Sequence, residues 1–286
     1  MTWIFFALGA ALFTALKGAA GKKSMRSLDE YVVSFFTFLL PGIFITAAFM
    51  AAGVPPLGDD FWPVFFVDCV LSAVATILSS KALLSDLSTT IPMMAFTPLF
   101  MLVTSYLILG EYPDRSGVVG VVLIVAGAYL LNIRERKNGW KAPFRVIVKN
   151  DGPRLMLAAS FIWSITGNLD KIAVTNSSPF FFPMAECFFV ALLILPFAWK
   201  SLMRSRDLIS KERYHLLAIG LFSALMTICQ MIAITMTLAV YAVSIKRLGI
   251  LISIALGGLV FKENDMKLKL AGGCVMVAGV FLITVL

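Results

Sequence analysis

Two adjacent basic residues, Lys246 and Arg247, stand inside an apolar run that reads Ser244-Ile245-Lys246-Arg247-Leu248-Gly249. At membrane depth each costs about 2.5 to 3.5 kcal/mol on insertion scales, so water, a carboxylate or a ligand must compensate them. One carboxylate cannot neutralise both. A phosphate or another dianion can, because the guanidinium offers a planar fork and the ammonium a compact charge. Asp68 in the third run and Glu186 in the seventh read as the buried acids, and three roles stay open for them: ion pairing with the doublet, carrying protons, or binding a cationic solute. Lys171 is open between anion binding and a surface pair with Asp170 beside it. Lys17 lies four residues from the end of its run and is expected to extend its ammonium to the interface. Trp163, Thr166, Asn168, Gln230, Tyr241 and Ser244 are further polar or aromatic groups able to line a cavity. The one histidine, His215, has no partner at metal-ligand spacing, so neither a metal nor a cofactor is expected. No Ser-His, His-Asp or clustered Asp/His arrangement suggests an enzyme.

The elements that must hold these residues are set by composition. Of 286 residues, 60% are hydrophobic and 14% charged, with a mean hydropathy of +0.93. Water-soluble domains carry about a quarter charged residues. The apolar residues gather into ten runs, at 2–20, 31–52, 61–80, 88–109, 116–132, 155–174, 179–199, 214–235, 240–261 and 268–286. At about 1.5 Å rise per residue, runs of about 20 residues cross roughly 30 Å of hydrocarbon. The expected class is an all-α integral membrane protein of ten transmembrane helices, with no connection long enough for a soluble domain. Its expected partners are a small-molecule substrate and membrane lipid, not nucleic acid, and its expected state is a monomer or homodimer. Cys69, Cys187, Cys229 and Cys274 all fall inside apolar runs and read as reduced packing residues. No Lys or Arg precedes the first run, so it is expected to be retained as a span rather than cleaved as a signal.

Charge sets the orientation. Connections after the odd-numbered runs, counted with the adjoining run ends, hold nineteen basic residues, among them Lys22, Lys23, Arg26, Arg134, Arg136, Arg204, Lys267 and Lys269, whereas those after even-numbered runs, counted the same way, hold Arg115 and Lys171 alone. The positive-inside rule therefore puts both termini outside. The expected location is the cell membrane of a bacterium or archaeon. The longest connection is basic with Trp140, Phe144, Val146 and Ile147 interleaved, a composition suited to the inner membrane surface. It divides the chain into a first unit at 1–132, a linker at 133–154 and a second unit at 155–286.

The two units repeat. Glu111, Gly120 and Gly127 recur as Glu263, Gly272 and Gly279 at a single offset of 152 residues, and Val125-Ala126-Gly127 recurs as Val277-Ala278-Gly279. An odd number of crossings per unit turns the second copy upside down, giving two inverted five-helix repeats. Inverted repeats are a construction of secondary transporters, because two like halves can exchange conformations around a central site. Seven residues make nearly two helical turns, so the glycines share a face suited to close helix packing. Each glutamate lies where one run ends and the next begins, and is expected to cap the helix that follows. Pro92, Pro98, Pro183 and Pro196 are expected to bend or break helices around a cavity.

The Glu-x8-Gly-x6-Gly ending of each half, with Trp163 and Lys171 in the sixth run, resembles the drug/metabolite transporter superfamily, EamA-type. The resemblance covers nearly the whole chain and implies ten helices around a central cavity, with the fifth and tenth at the periphery. The Lys246-Arg247 doublet, with Lys171, is similar to the plastid sugar-phosphate translocators of the same superfamily. There such residues hold the substrate's phosphate, which implies the same role for Lys171, Lys246 and Arg247. The leading expectation is alternating-access transport of a small organic anion, phosphorylated or not. The alternatives are a proton-coupled exporter of amino acids, amines or lipophilic cations, using Glu186 or Asp68, and a non-transporting lipid-binding or accessory protein.

Overall fold

The computed structural model describes residues 2–24, 28–85, 90–132, 150–253 and 266–285. Most of the basic linker, and Glu263, lie outside them. The described residues form α1 (Trp3–Ser24), α2 (Glu30–Ala52), α3 (Phe61–Ala82), α4 (Thr97–Leu109), α5 (Arg115–Asn132), α6 (Asp151–Thr175), α7 (Phe181–Arg204), α8 (Arg206–Met236), α9 (Ala239–Lys246) and α10 (Met266–Val285). This is an all-α membrane protein, and the helices of the described residues fall on the ten apolar runs. Helices α1, α2, α3, α7 and α8 are long and apolar enough to cross a membrane, and α4, α5 and α10 contain shorter apolar stretches. Side chains such as Phe5, Met50, Val103 and Leu107 stay exposed on the outside of the bundle, where lipid rather than water is their natural surrounding.

Local chemistry explains the irregular helices. Asp29 caps α2, its Oδ1 accepting the Tyr31 amide at 3.0 Å. Pro92 and Pro98 lack amide donors, and the chain between them takes a 3₁₀ path, Ile91–Phe96, before α4 begins. α4 closes at Gly110 with φ of 66°, left-handed backbone that favours glycine. Pro183 sits in the first turn of α7, where no intrahelical donor is needed, whereas Pro41 and Pro196 lie within α2 and α7. α9 is broken at Arg247, whose amide donates to the Ser244 carbonyl only three residues back, at 3.0 Å. Helix resumes from 248 to 253. The residue 152 positions before Arg247 is Ala95, inside the 3₁₀ segment, so both halves break their fourth helix at matching places.

Packing repeats with a two-fold relation. α1 packs on α8 and α6 on α3; α1 meets α9 and α6 meets α4; α2 faces α7, α4 faces α9 and α5 faces α10. Replacing every helix by its counterpart in the other half leaves this set unchanged. The direction of the second half follows from the glycine seam between α5 and α10. A Cβ on Gly120 would lie 2.7 Å from the Gly279 carbonyl oxygen, and one on Gly127 would lie 2.6 Å from that of Gly272. The residue numbers rise on one helix as they fall on the other. Helices α5 and α10 therefore run antiparallel, and the repeat is inverted.

Backbone meets backbone at this seam, so a side chain there cannot be accommodated by turning a rotamer. Gly120→Leu or Gly279→Leu is expected to cost about 1 to 3 kcal/mol or more, by analogy with overpacked cores. Gly18→Ala, with nothing near its added methyl, should be nearly neutral. Thermal unfolding of the detergent-solubilised protein checks the contrast.

Candidate functional site

A cavity of about 210 Å³ lies between the halves. Lys17 of α1, Asp170 of α6, Glu186 of α7 and Lys246 of α9 bring charge to its wall. Thr37, Ser72, Thr76, Thr166, Ser223, Thr227 and Gln230 bring neutral polar groups, and Phe38, Pro41, Trp163, Met226 and Met231 bring apolar surface. The volume is below the roughly 300 to 1,000 Å³ of drug-sized sites and suits a smaller solute.

The wall joins both signs of charge. Lys246 interacts electrostatically with Asp170, Glu186 and Lys17. Neither lysine makes a hydrogen bond or a close ion pair among the described residues. Behind the wall, Asp68 is wholly buried on α3, and neither of its carboxylate oxygens has a hydrogen-bond partner. Asp68, Asp170 and Glu186 each bring a carboxylate oxygen to within 4.8 Å of the others. Gln230 Oε1 and Ser223 Oγ on α8 are also buried without partners, although their side chains line the space. Unpaired buried polar atoms cost about 1 to 3 kcal/mol each, which a solute, a proton or water must offset.

Next to Asp170 in the chain, a latch of polar contacts joins the two halves. Lys171 donates to Glu111 Oε1 and, at 2.7 Å, to the Thr237 carbonyl. Glu111 Oε2 accepts the Ala239 amide at 3.1 Å. Glu111 thus caps α9, across the interface, rather than the helix that follows it. That following helix, α5, is capped by Asp114 instead, whose Oδ1 accepts the Gly117 amide at 2.8 Å and whose Oδ2 accepts the Ser116 hydroxyl at 2.7 Å. These bonds hold the Asp114 carboxyl below the usual carboxylate range. Its stabilising contribution is present above the ordinary aspartate pKa of about 3.9 and is lost as pH falls through the lowered value. Beside the latch, Phe61, Phe65, Phe181 and Phe189 close the gap between α3 and α7, with Phe61 and Phe181 ring centres 5.6 Å apart.

The structure distributes the sequence candidates unevenly. Lys246, Glu186, Trp163, Thr166 and Gln230 meet at the cavity. Lys171 is committed to the latch. Arg247 is off the wall, its Nε buried without a partner at the break in α9. Tyr241 donates to Asp114 Oδ1 at 3.2 Å, and Ser244 to the Val240 carbonyl at 2.6 Å. Asn168 Nδ2 donates to the Thr104 hydroxyl and the Ser164 carbonyl, and its Oδ1 accepts the Ser105 hydroxyl, joining α6 to α4. His215 lies 3.3 Å from Glu212. Lys17 and Asp170 differ from their sequence readings, since the lysine enters the cavity instead of reaching the interface and the aspartate faces Lys246 rather than Lys171. The signal for both was present, because each is an ionisable group within an apolar run.

Paired halves around a charged central cavity, with the fourth helix of each half broken, agree with the comparison to known proteins. The EamA-like transporter family model matches residues 1–133 and again residues 152–285. The chain belongs to the EamA-like transporter family. It is therefore a membrane transporter of the drug/metabolite type, and the two matches correspond to its two repeats. One solved crystal structure is similar to it over 99% of this chain and 97% of the other, with a TM-score of 0.79 at 16% identity. That likeness concerns the fold alone. No curated protein matches the chain.

Removing the shared acid of the latch should leave the Ala239 amide unpaired and Lys171 with the Thr237 carbonyl alone. Glu111→Ala is expected to destabilise the protein by about 1 to 3 kcal/mol. Adding Lys171→Met should recover part of that loss, because the two residues are coupled. A double-mutant cycle on thermal unfolding measures it.

Proposed function

We propose that this chain is a secondary active transporter that moves a small zwitterionic metabolite of amino-acid size by alternating access. It would act in a cell membrane, with both termini outside as the distribution of Lys and Arg favours. The observation that carries the reading is the mixed charge of one small cavity: Lys246 and Lys17 share its wall with Asp170 and Glu186. A solute carboxylate matches the lysines, and a solute ammonium matches the acids. The unpartnered Gln230 Oε1 and Ser223 Oγ give such a solute further hydrogen-bond sites.

A phosphorylated anion is less well supported. It draws on Lys171, Lys246 and Arg247 acting together, yet Lys171 is engaged by Glu111 and Thr237, and Arg247 is off the cavity wall. A simple organic anion keeps one argument in its favour, which is that two lysines without close partners line the cavity.

Alternating access follows from the inverted repeat. On this reading the latch and the phenylalanine cluster form the closed end. Exchanging the conformations of the two halves would close the other.

The reading is tested by counterflow in proteoliposomes loaded with a mixture of L-amino acids, compared with liposomes loaded with inorganic phosphate or glucose 6-phosphate. Amino-acid exchange is expected, and Lys246→Gln should reduce it at least tenfold without lowering folded yield. Exchange of the phosphate compounds alone would reject the zwitterion. An unaffected Lys246→Gln would reject the binding role of the lysine.

A further inference from the structure

We propose that α8 carries the determinant of side-chain specificity: Ser223, Thr227 and Gln230 select a zwitterion whose side chain bears a hydroxyl or a carboxamide over an apolar one of the same shape. The proposal rests on the mixed-charge reading of the cavity and names the substrate class within it.

The cavity walls differ in chemistry. Cations come from α1 and α9, as Lys17 and Lys246, and acids from α6 and α7, as Asp170 and Glu186. A solute whose carboxylate and ammonium meet these walls leaves its side chain to the remaining surface. That surface is α8, with Ser223, Met226, Thr227, Gln230 and Met231, together with Thr37, Phe38 and Pro41 of α2. Positions 223, 227 and 230 are four and three residues apart, so they share one face of α8 as a polar stripe about 10 Å long.

Two atoms of this stripe lack what the rest of the protein provides. Among the described residues, Ser223 Oγ and Gln230 Oε1 are the buried unpartnered polar atoms that belong to the cavity wall. Ser223 is 2% and Gln230 4% exposed, so bulk solvent does not satisfy them. A hydroxyl on a membrane helix can turn back to the carbonyl four residues earlier. Ser34, Thr46, Ser160 and Ser244 all do so here, at 2.6 to 2.8 Å, whereas Ser223 does not. Thr166, on the α6 wall, is likewise engaged, its hydroxyl donating to the Trp163 carbonyl at 3.4 Å. Packing supplies no reason for the stripe either. The residues 152 positions earlier, at matching places in α3, are Leu71, Ala75 and Leu78, so the fold accepts apolar side chains there.

The chemistry of the missing partner follows from these groups. Gln230 Oε1 only accepts, so the solute must donate to it, while the hydroxyls of Ser223 and Thr227 can do either. A hydroxyl or a carboxamide both donates and accepts, and so can bond Gln230 and a hydroxyl of the same stripe. An aliphatic side chain leaves these atoms stranded, and a thioether brings no donor. A charged side chain would be buried against a neutral wall without a counter-charge. Sites built to hydrogen-bond a solute group discriminate strongly against the analogue that lacks it, because their own buried polar atoms are then left unpaired. Met226 and Met231 flank the stripe with unbranched, adaptable side chains, which makes the site more sensitive to polarity than to length.

Counterflow with full-length protein in proteoliposomes tests this, with single L-amino acids compared in pairs of like shape: threonine with valine, and asparagine with leucine. In the wild type the polar member of each pair should have a kcat/KM at least about tenfold higher. Combining Ser223→Ala with Gln230→Met should bring both ratios to within about threefold, mainly by raising exchange of valine and leucine, with folded yield unchanged. If that double variant does not fold, the wild-type ratios decide the matter. Equal exchange within each pair by the wild type, undiminished ratios in the double variant, or a folded double variant that loses all four solutes in parallel would overturn the α8 determinant while leaving zwitterion exchange intact. Absence of counterflow of any amino acid in the wild type would overturn both.

Discussion

Ionisable groups held in hydrocarbon must be compensated, and this requirement organises the centre of the molecule. Lys17, Lys246, Asp170 and Glu186 share one cavity, with Asp68 immediately behind. A bundle without such groups could close on an apolar core like that of α5 and α10. Here the helices contributing charge, α1, α3, α6, α7 and α9, instead surround a polar space in which Lys246 faces Asp170 and Glu186. A central site is a consequence of that arrangement, because a solute with complementary charge can offset the same desolvation.

The glycine seam is the opposite extreme. Along α5 and α10 the backbones approach so closely that an added Cβ would overlap a carbonyl on the other helix. Small residues supply association where lipid is as apolar as the side chains. One pair of helices is thereby fixed at the periphery, while the interrupted α4 and α9 line up near the site. Freed backbone groups at such interruptions are tolerated where protein or a cavity surrounds them. On the proposed alternating-access mechanism, rigid seam and broken helices would let the two halves move as units about a fixed centre.

The latch couples that centre to one face. Glu111 joins a lysine from α6, the start of α9 and the link after α8 in one set of hydrogen bonds. Its capping function crosses the interface between repeats, so opening that end would release the first turn of α9 as well as the ion pair. Lys246 sits at the other end of the same short helix. Motion at the latch and motion at the cavity therefore involve one element.

Composition and spacing alone determined the class of the protein: ten apolar runs, a repeat with an offset of 152 residues and an odd number of crossings lead to an inverted helical transporter fold, since span length and charge bias are one-dimensional properties. They also marked Lys246, Glu186 and Asp68, because any charge within an apolar run is conspicuous. Which charges meet was decided by tertiary structure. Lys171 and Asp170 are neighbours in the chain, yet successive residues on a helix point about 100° apart, so one enters the latch and the other the cavity. Lys246 and Arg247 separate for a related reason, as the tightened turn at Arg247 directs the two side chains to different neighbours. Asn168, polar and well placed by sequence, is consumed by α4, and Lys17, close enough to the interface to reach it, lines the cavity instead. Linear sequence registers the presence of a charge; only the packing of helices distant in the chain selects its partner.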